Sequence, residues 1–322
     1  VISPWNYPLA MATNLIIPSL VAGNVVIFKP SEETPLVADA MVAALNKYLP
    51  QGILQIVHGG KDLGQKLVES EVNLIAFTGS MVAGRDIMKR ASSGLKRLIM
   101  ELGGNDPMIV MANANIDAAA GFAVACSFEN AGQMCIATER VYVDEIIADA
   151  FESRVTELAS QYKVGPWDEP NVNIGPLVNA AQFNRVKSHI EDAVAKGATV
   201  LLGGAAQQSP YITPTVVTGI TPDMLLEQQE TFGPVVAIAR YQNINQAISR
   251  ANDSEYGLGA VVFGAKGAVA VAEQLEAGMV AINQGVGGGA NTPWVGAKQS
   301  GFGYRGSVEG HRQFAQVRVL SK

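Results

Sequence analysis

The sequence predicts an α/β fold of two domains, and two observations support this fold class. Short apolar segments of strand length alternate with longer amphipathic segments of helix length over most of the 322 residues. Strands that are separated by helical crossovers form a parallel sheet. The composition agrees, because 48% of the residues are hydrophobic, 16% are charged and 33 are glycine. Such a composition fits a compact enzyme and excludes a disordered chain.

The first alternating series lies before residue 103. Its predicted elements are a strand at 25–28, a helix at 34–48, a strand at 53–57, a helix at 61–69, a strand at 74–77 and a helix at 81–91. Gly103, Gly104 and Pro107 then interrupt the pattern. We therefore expect a domain boundary near residues 103–106.

A second series follows this boundary. It consists of predicted strands at 108–111, 141–143, 199–202, 235–239, 260–263 and 280–282 and predicted helices at 116–128, 148–161 and 179–196. Asn115 is a suitable N-cap for the helix at 116–128. From residue 284 the chain is rich in glycine and loop-like, until an apolar segment at 314–320.

Charge and cysteine content exclude several classes of protein. The formal net charge is −6, from 23 Lys and Arg against 29 Asp and Glu, which argues against a nucleic-acid or anionic-membrane partner. The apolar run at 15–28 is interrupted by Pro18 and Gly23, and it is shorter than the ~20 residues that cross a bilayer. Cys126 and Cys135 are too few for a disulfide framework and predict reduced thiols in a cytoplasmic protein.

Two residues are candidates for catalytic chemistry on local pattern alone. Cys135 follows a helix on a glycine-containing turn, where backbone amide dipoles can stabilise a thiolate. The alternative for any such cysteine is a small buried hydrophobic residue, which is the interpretation we favour for Cys126. Glu101 precedes two glycines and could act as a general base, or it could be a surface carboxylate at the end of an element.

Two loops are candidates for nucleotide binding. Gly79 and Ser80 lie between a strand and a helix, where backbone N–H groups can hold a phosphate. Lys29, Ser31 and Glu32 follow the strand at 25–28, at the edge where open α/β sheets bind ligands. A plain strand-to-helix turn is the more common explanation for the first loop, and without further support the second is an ordinary polar loop. The GxGxxG string at 301–306 and its variant at 285–290 lack the strand–turn–helix context of a dinucleotide fingerprint, and no metal-binding pattern is present.

Taken together, the motifs resemble those of the NAD(P)-dependent aldehyde dehydrogenase superfamily over nearly the whole chain. The matching strings are PWNYP at 4–8, KPSE at 29–32, FTGS at 77–80, ELGGN at 101–105, NAGQMC at 130–135, ETFGP at 230–234 and PW at 293–294. The resemblance implies a Rossmann-like NAD-binding domain at 1–103, a catalytic domain at 104–299, and a C-terminal return segment at 300–322 that serves as an oligomerisation strand.

The resemblance also implies a reaction. Cys135 corresponds to the family's nucleophile, which attacks the aldehyde to give a thiohemiacetal and, after hydride transfer, a thioester. The Asn6 amide and the backbone N–H of Cys135 correspond to the oxyanion hole. Glu101 corresponds to the base that activates water for hydrolysis. Because the acyl-CoA-forming branch usually lacks this glutamate, a free carboxylic acid is the expected product.

Cofactor and substrate residues follow from the same resemblance. The residues that match those around the family's adenosine ribose and pyrophosphate are Lys29, Ser31, Glu32, Gly79 and Ser80. Glu32 favours NAD, because a carboxylate would repel a ribose 2′-phosphate. Glu230 and Phe232 match residues that position the nicotinamide riboside.

The residues that match the family's substrate tunnel are aromatic or apolar, which predicts a hydrophobic or aromatic aldehyde. They are Tyr7, Met11, Met134, Ile136 and Trp294. The family also implies a homo-oligomer, in which residues 316–320 would pair with another subunit.

Three departures from the family pattern bear on function. The portion that precedes the PWN motif in family chains is absent, which suggests a truncated member. Leu15 stands where many members have a lysine, and Tyr304 and Arg305 replace a frequent Arg-Glu pair. The alternatives to a working dehydrogenase are therefore a catalytically impaired remnant that binds nucleotide or a partner, and a thiol esterase without redox activity.

Overall fold

The computed structural model describes residues 1–204, 208–287, 289 and 291–322. The chain forms two compact units, of which the first comprises Val1–Leu102 and Gly287–Lys322 and the second comprises Gly103–Val286. The return to the first unit therefore begins at Gly287, earlier than residue 300. Two positions of the string at 285–290, residues 288 and 290, lie outside the described residues.

Helices and strands alternate along most of the described chain. The helices are α1 (Pro8–Val21), α2 (Pro35–Leu45), α3 (Lys61–Glu69), α4 (Met81–Ala91), α5 (Ile116–Phe128), α6 (Ala148–Ala159), α7 (Ala180–Ala195), α8 (Leu225–Gln228), α9 (Ile244–Asn252), α10 (Ala268–Ala272) and α11 (Ser307–Arg312). The strands are β1 (Val26–Phe28), β2 (Leu54–Ile56), β3 (Leu74–Thr78), β4 (Arg97–Glu101), β5 (Asp106–Val110), β6 (Thr138–Asp144), β7 (Thr199–Leu202), β8 (Thr215–Thr218), β9 (Val235–Tyr241), β10 (Gly259–Phe263), β11 (Met279–Ile282), β12 (Trp294–Val295), β13 (Gly301–Phe302) and β14 (Tyr304–Arg305).

In the first unit, parallel pairing aligns the strand ends that carry the candidate site. β1 pairs with β2 and β3 pairs with β4, both in parallel, and β13 adds to β4 in antiparallel orientation. Ile2 forms single parallel bridges to Lys29 on one side and to Phe77 on the other. The chain at Ile2 thus runs parallel to β1 and β3, so the carboxyl ends of β1, β3 and β4 lie at the same edge.

The second unit contains a seven-stranded sheet in the order β11-β10-β5-β6-β9-β8-β7. Neighbouring strands are parallel except β7 and β8. The central strands β5 and β6 are buried along nearly their whole length, and α5 and α6 pack against each other. Residues 108–110 and 141–143 are the apolar runs expected of strands buried on both faces, whereas Glu139 and Arg140 are charged residues buried at the start of β6.

The α/β fold class predicted from the sequence is confirmed, and the ends of the predicted elements differ from the observed ones by a few residues. Asn115 caps α5 as expected, because its Oδ1 accepts a hydrogen bond from the Ala118 backbone N–H at 3.0 Å. The sequence analysis missed α1, β4, β8, α8, α9 and α10. It also described the chain after residue 284 as loop-like, where β12, β13, β14 and α11 form. The described part of residues 316–322 forms no regular element, so the expected strand at 316–320 stays a prediction. Among the described residues, no helix is long and apolar enough to span a bilayer.

α1 was missed because its apolar face was taken for part of a continuous apolar run. The helix buries Ala12, Leu15 and Ile16 completely, whereas Leu9 is 52% exposed. Leu15 belongs to an apolar cluster with Ile99 and Phe314. The position that many family members fill with lysine is therefore a packing position in this chain.

We expect Leu15→Ala to lower the free energy of unfolding by about 2–5 kcal/mol, because a fully buried leucine leaves a cavity. Leu9→Ala, in the same helix, is the matched control and should change it by no more than about 0.5 kcal/mol. Urea unfolding followed by circular dichroism measures both. Equal effects of the two substitutions would contradict the packing role of Leu15.

Candidate active site

The carboxyl edge of the first unit's sheet carries seven of the predicted site residues. Lys29, Ser31 and Glu32 follow β1, Gly79 and Ser80 follow β3, Glu101 ends β4, and Asn6 follows the bridging residue Ile2. Parallel strands deliver their following loops to the same edge, which is where open α/β sheets bind ligands. Topology therefore gathers residues that lie far apart in the sequence.

The loop after β1 presents one positive and one negative side chain. Lys29 is buried, with its side chain 6% exposed, and its Nζ donates to the Pro30 carbonyl at 3.0 Å. Nζ also lies 3.5 Å from Glu32 Oε2, while the Glu32 side chain is 57% exposed. Ser31 Oγ accepts from the Glu33 backbone N–H at 3.3 Å, which shapes the loop. A ligand at this edge would meet an ammonium group and an exposed carboxylate.

The turn after β3 fits a phosphate. Ser80 is the N-cap of α4, and its Oγ accepts from the Ala83 backbone N–H at 3.3 Å. A Cβ at Gly79 would lie 2.5 Å from the Phe77 ring, so a larger residue cannot enter without displacing that ring. The N–H groups of Met81 and Val82, which precede Ala83 in α4, have no partner within the helix and could bind an anion.

Glu101 is a buried carboxylate between two partners of the same unit. Thr78 Oγ1 donates to Glu101 Oε2 at 3.4 Å, and Arg305 Nε lies 2.5 Å from Glu101 Oε1. Burial raises the pKa of Glu101 above its usual range, and the charge of Arg305 opposes that rise. The expected alternative of a surface carboxylate is therefore wrong for this residue.

In the second unit, Cys135 lies on a turn immediately before β6. The Ala137 backbone N–H donates to the Met134 carbonyl at 3.0 Å, which closes the turn around Cys135, and the cysteine is partly exposed. The preceding residues Asn130, Ala131 and Gly132 have φ values of 51°, 58° and 72°. Three consecutive left-handed residues form a strained loop that surrounding contacts must hold in place.

Two glycines make those contacts possible. A Cβ at Gly132 would lie 2.0 Å from the Gly233 carbonyl oxygen, and a Cβ at Gly104 would lie 2.2 Å from the Cys135 carbonyl oxygen. Backbone therefore packs directly on backbone at both places. The same Gly104 donates its N–H to Glu230 Oε1 at 2.9 Å, so Cys135 and Glu230 meet at one backbone segment.

The turn that carries Glu230 and Phe232 is fixed by a residue that the sequence analysis missed. Both carboxylate oxygens of the buried Glu139 accept backbone N–H groups, from Thr231 and from Phe232, each at 2.7 Å. Burial and the neighbouring Glu230 raise the pKa of Glu139, and burial raises that of Glu230. A glutamate at the start of a strand gives no local signal of a partner 92 residues away.

Gln133 is a second missed residue. Its side chain is 4% exposed in a loop, and it bridges the cysteine loop to the chain at 176–178. Nε2 donates to the Asn130 carbonyl at 3.1 Å, and Oε1 accepts from the Val178 backbone N–H at 2.9 Å. Its position in the sequence, between Gly132 and Cys135, could have indicated that Gln133 shapes the cysteine loop.

The residues expected to line a substrate tunnel are divided between the two units. Tyr7 is the N-cap of α1 with a φ of 49°, Met11 lies in α1, and Trp294 lies in β12. Met134 and Ile136 flank Cys135 in the second unit and are partly exposed.

The model of the aldehyde dehydrogenase family matches residues 1–320. The chain belongs to the aldehyde dehydrogenase family. The resemblance found in its motifs is thereby confirmed.

Several curated aldehyde dehydrogenases are similar to it. The chain is 41% identical over 327 residues to a probable succinate-semialdehyde dehydrogenase [NADP(+)] of Sinorhizobium fredii, which covers 99% of this chain and 67% of the relative. It is 37% identical to succinate-semialdehyde dehydrogenase [NADP(+)] 1 of Schizosaccharomyces pombe, over 100% of this chain and 66% of the relative. The chain thus spans about two thirds of the length of these relatives.

Solved structures of this family share its fold. Succinate-semialdehyde dehydrogenase from Burkholderia pseudomallei is 39% identical with a TM-score of 0.94, over 97% of this chain and 66% of that one. Lactaldehyde dehydrogenase from Escherichia coli is 34% identical with a TM-score of 0.96, and the match covers 99% of this chain and 69% of that one.

We expect Gly132→Ala to lower the free energy of unfolding by on the order of 3 kcal/mol, because a methyl group would meet the Gly233 carbonyl and the residue has a positive φ. Gly121→Ala in α5 is the matched control, since no atom lies within 4 Å of the added Cβ. That change should raise the free energy of unfolding by about 0.5–1 kcal/mol. Urea midpoints test both, and a neutral Gly132→Ala would contradict the close backbone packing.

Proposed function

We propose that this chain carries the machinery that oxidises an aldehyde to its carboxylic acid with a nicotinamide dinucleotide. The observation that carries the proposal is the contact of Gly104 with both Cys135 and Glu230, in a member of the aldehyde dehydrogenase family. That contact gives the thiol and a cofactor residue a common backbone support in the second unit. The first unit contributes the Glu101 base and the residues for the adenosine end of the dinucleotide.

The chemistry proposed for the residues begins at Cys135. Its thiolate attacks the aldehyde carbon and forms a carbon–sulfur bond, while the Asn6 amide and the Cys135 backbone N–H donate to the oxygen that becomes negative. When bound, the dinucleotide supplies the hydride acceptor that takes the aldehydic hydrogen with its electron pair. A thioester on Cys135 remains. Glu101 then removes a proton from water, the hydroxide attacks the thioester, and the carbon–sulfur bond breaks to release the acid.

The dinucleotide fits side chains at the first unit's edge. The exposed N–H groups at the start of α4 suit its pyrophosphate, and Lys29 with Glu32 suits the adenosine ribose hydroxyls. We propose a preference for NAD, because the 57% exposed Glu32 carboxylate would repel a 2′-phosphate. The Sinorhizobium fredii and Schizosaccharomyces pombe relatives carry NADP in their names, so this preference separates the chain from them.

Relatives also guide the substrate class. Their names specify succinate semialdehyde and, for a Pseudomonas putida protein 35% identical to this chain, glutarate semialdehyde. We therefore propose a short aldehyde that bears a carboxylate, in place of the hydrophobic or aromatic aldehyde expected from the sequence. Apolar side chains such as Met134 and Ile136, which flank the thiol, are compatible with the methylene groups of such a substrate.

A homo-oligomer forms part of the proposal. Val317, Val319 and Leu320 are 81%, 83% and 76% exposed in a segment without regular structure. Three exposed apolar residues within four positions favour pairing with a second copy of the chain, as the expected strand at 316–320 would do.

We expect Cys135→Ala to reduce NADH formation at least about a thousandfold, because no other group replaces the nucleophile. Cys126→Ala is the matched control: the Cys126 thiol donates to the Ile136 carbonyl at 3.5 Å, and burial raises its pKa. It should leave turnover close to that of the unchanged protein. Absorbance at the NADH wavelength measures both variants with succinate semialdehyde, glutarate semialdehyde, butanal and benzaldehyde.

The results with these aldehydes distinguish the proposed dehydrogenase from the remnant and the thiol esterase. A preference for benzaldehyde would reject the carboxylated substrate, and full activity of Cys135→Ala would reject the mechanism. Nucleotide binding by calorimetry without turnover would select the remnant. Hydrolysis of an activated ester at Cys135 without any aldehyde oxidation would select the thiol esterase.

We expect Glu32→Gln to raise the ratio of kcat/KM with NADP to kcat/KM with NAD by about tenfold, because it removes the charge that faces a 2′-phosphate. Glu71→Gln is the control, since Glu71 is an exposed acid that precedes β3, at the opposite edge of the same sheet. Steady-state rates with both dinucleotides give the ratio. An unchanged ratio in Glu32→Gln would remove Glu32 from cofactor selection.

A further inference from the structure

Arg305 is a buried arginine whose side chain is held from two sides. Its side chain is 11% exposed, and its guanidinium carbon lies 4.7 Å from the centroid of the Trp294 ring. Trp294 and Arg305 are register partners of the antiparallel strands β12 and β14. A Cβ at Gly310 in α11 would lie 2.7 Å from the Arg305 carbonyl carbon, so this helix packs closely on the arginine's backbone. These contacts leave the guanidinium little freedom.

The group in front of this arginine is Glu101. Nε of Arg305 lies 2.5 Å from Glu101 Oε1, and the Glu101 side chain is itself 6% exposed. Strand register explains why Arg305 lies next to Glu101. Gly301 of β13 is the register partner of Glu101, and β13 leads directly into β14, which carries Arg305. Arg305 from β14 and Thr78 from β3 are the charged and the polar group that act on this carboxylate.

Burial and ion pairing have opposite effects on a carboxylate. Removal from water favours the neutral acid, which cannot accept a proton from water. Arginine stays charged at every ordinary pH and can therefore hold a buried carboxylate in its ionised form. It also fixes one carboxylate oxygen, so that the other oxygen, which accepts from Thr78, is the one left for a water molecule.

We propose that Arg305 is a positioning residue that keeps Glu101 ionised and oriented for thioester hydrolysis. This inference rests on the proposed function, because it takes Glu101 as the base of that reaction. Arg305 acts through Glu101 and has no contact with substrate in the proposal. Trp294 in turn orients Arg305 through its ring, which adds a role to a residue expected only to contact substrate.

The test is the pH dependence of hydrolysis of the acyl-enzyme on Cys135. The lifetime of the acyl-enzyme is measured by rapid quench and intact mass between pH 6 and 9, in the unchanged protein and in Arg305→Met. Loss of the arginine raises the pKa of Glu101 further, so the acidic limb of the profile moves to higher pH. For a shift of about one pH unit, we expect hydrolysis up to about tenfold slower on the acidic limb of the profile and recovery toward the unchanged rate at pH 9.

Two further variants separate positioning from folding. Arg305→Lys keeps the charge and should show a smaller shift, which is the rescue expected of an electrostatic role. Arg312→Met is the matched control: Arg312 lies in α11, is 69% exposed and pairs with Glu309, and its loss should leave the profile unchanged. A rate that falls equally at all pH values in Arg305→Met, or does not fall, overturns the proposal.

A double-mutant cycle makes the inference independent of turnover. Arg305→Met, Glu101→Gln and the double variant are unfolded in urea, and a non-additive effect measures the coupling of the pair. Coupling in a protein that forms no acyl-enzyme would reject the proposed function and support the ionised pair. Acyl-enzyme turnover with additive substitutions would retain the function and overturn the role of Arg305.

Discussion

Close packing of backbone on backbone is the constraint on which the candidate site of the second unit depends. The cysteine loop runs through three left-handed residues, and non-glycine residues adopt that conformation only when neighbouring contacts hold them. Gly132 and Gly104 allow those contacts, because any side chain there would overlap a carbonyl group. Gln133 then links the loop to the chain at 176–178: its Nε2 donates to the Pro176 carbonyl and its Oε1 accepts from the Val178 backbone N–H. A thiol on such a loop is placed before a substrate arrives, which is what nucleophilic attack at a defined angle requires.

Strand direction plays the corresponding role in the first unit. Lys29, Ser80 and Glu101 come from loops and strand ends that are dozens of residues apart, and the parallel order of β1, Ile2, β3 and β4 brings them to one edge. Their chemistry differs along that edge. An ion pair follows β1, the serine-capped start of α4 follows β3, and a buried carboxylate ends β4. The sheet therefore places an ion pair, a helix N-terminus and a buried carboxylate along one edge.

Local pattern predicted most of this arrangement, and long-range contacts account for the rest. Periodicity predicted the helices α5, α6 and α7 and every strand of the second unit except β8, because apolar residues recur there at strand or helix spacing. It missed β8, α8, α9 and α10. It failed at α1, because a helix that starts with proline and buries three apolar residues looks the same as an apolar run in a one-dimensional pattern. The motifs indicated Cys135, Glu101 and Glu230. They gave no sign of the contacts that Glu139 makes with the turn at 231–232 and that Arg305 makes with Glu101. Each of these contacts joins residues that are far apart in the sequence, and the spacing of residues in a single sequence does not predict such a contact.

Leu15 and Arg305 together explain how this chain departs from the common family pattern without losing a charged partner for Glu101. Many members have a lysine at the first position and a glutamate at the second. Here the first position is apolar and packs against Ile99 and Phe314. The second position supplies a cation that never loses its proton, and Trp294 stacks on it. A chain with glutamate at both 101 and 305 would place two carboxylates together at low dielectric, and the resulting repulsion would protonate one of them. Under the proposal made for Arg305, arginine at this position lets the buried Glu101 remain ionised when the lysine is absent.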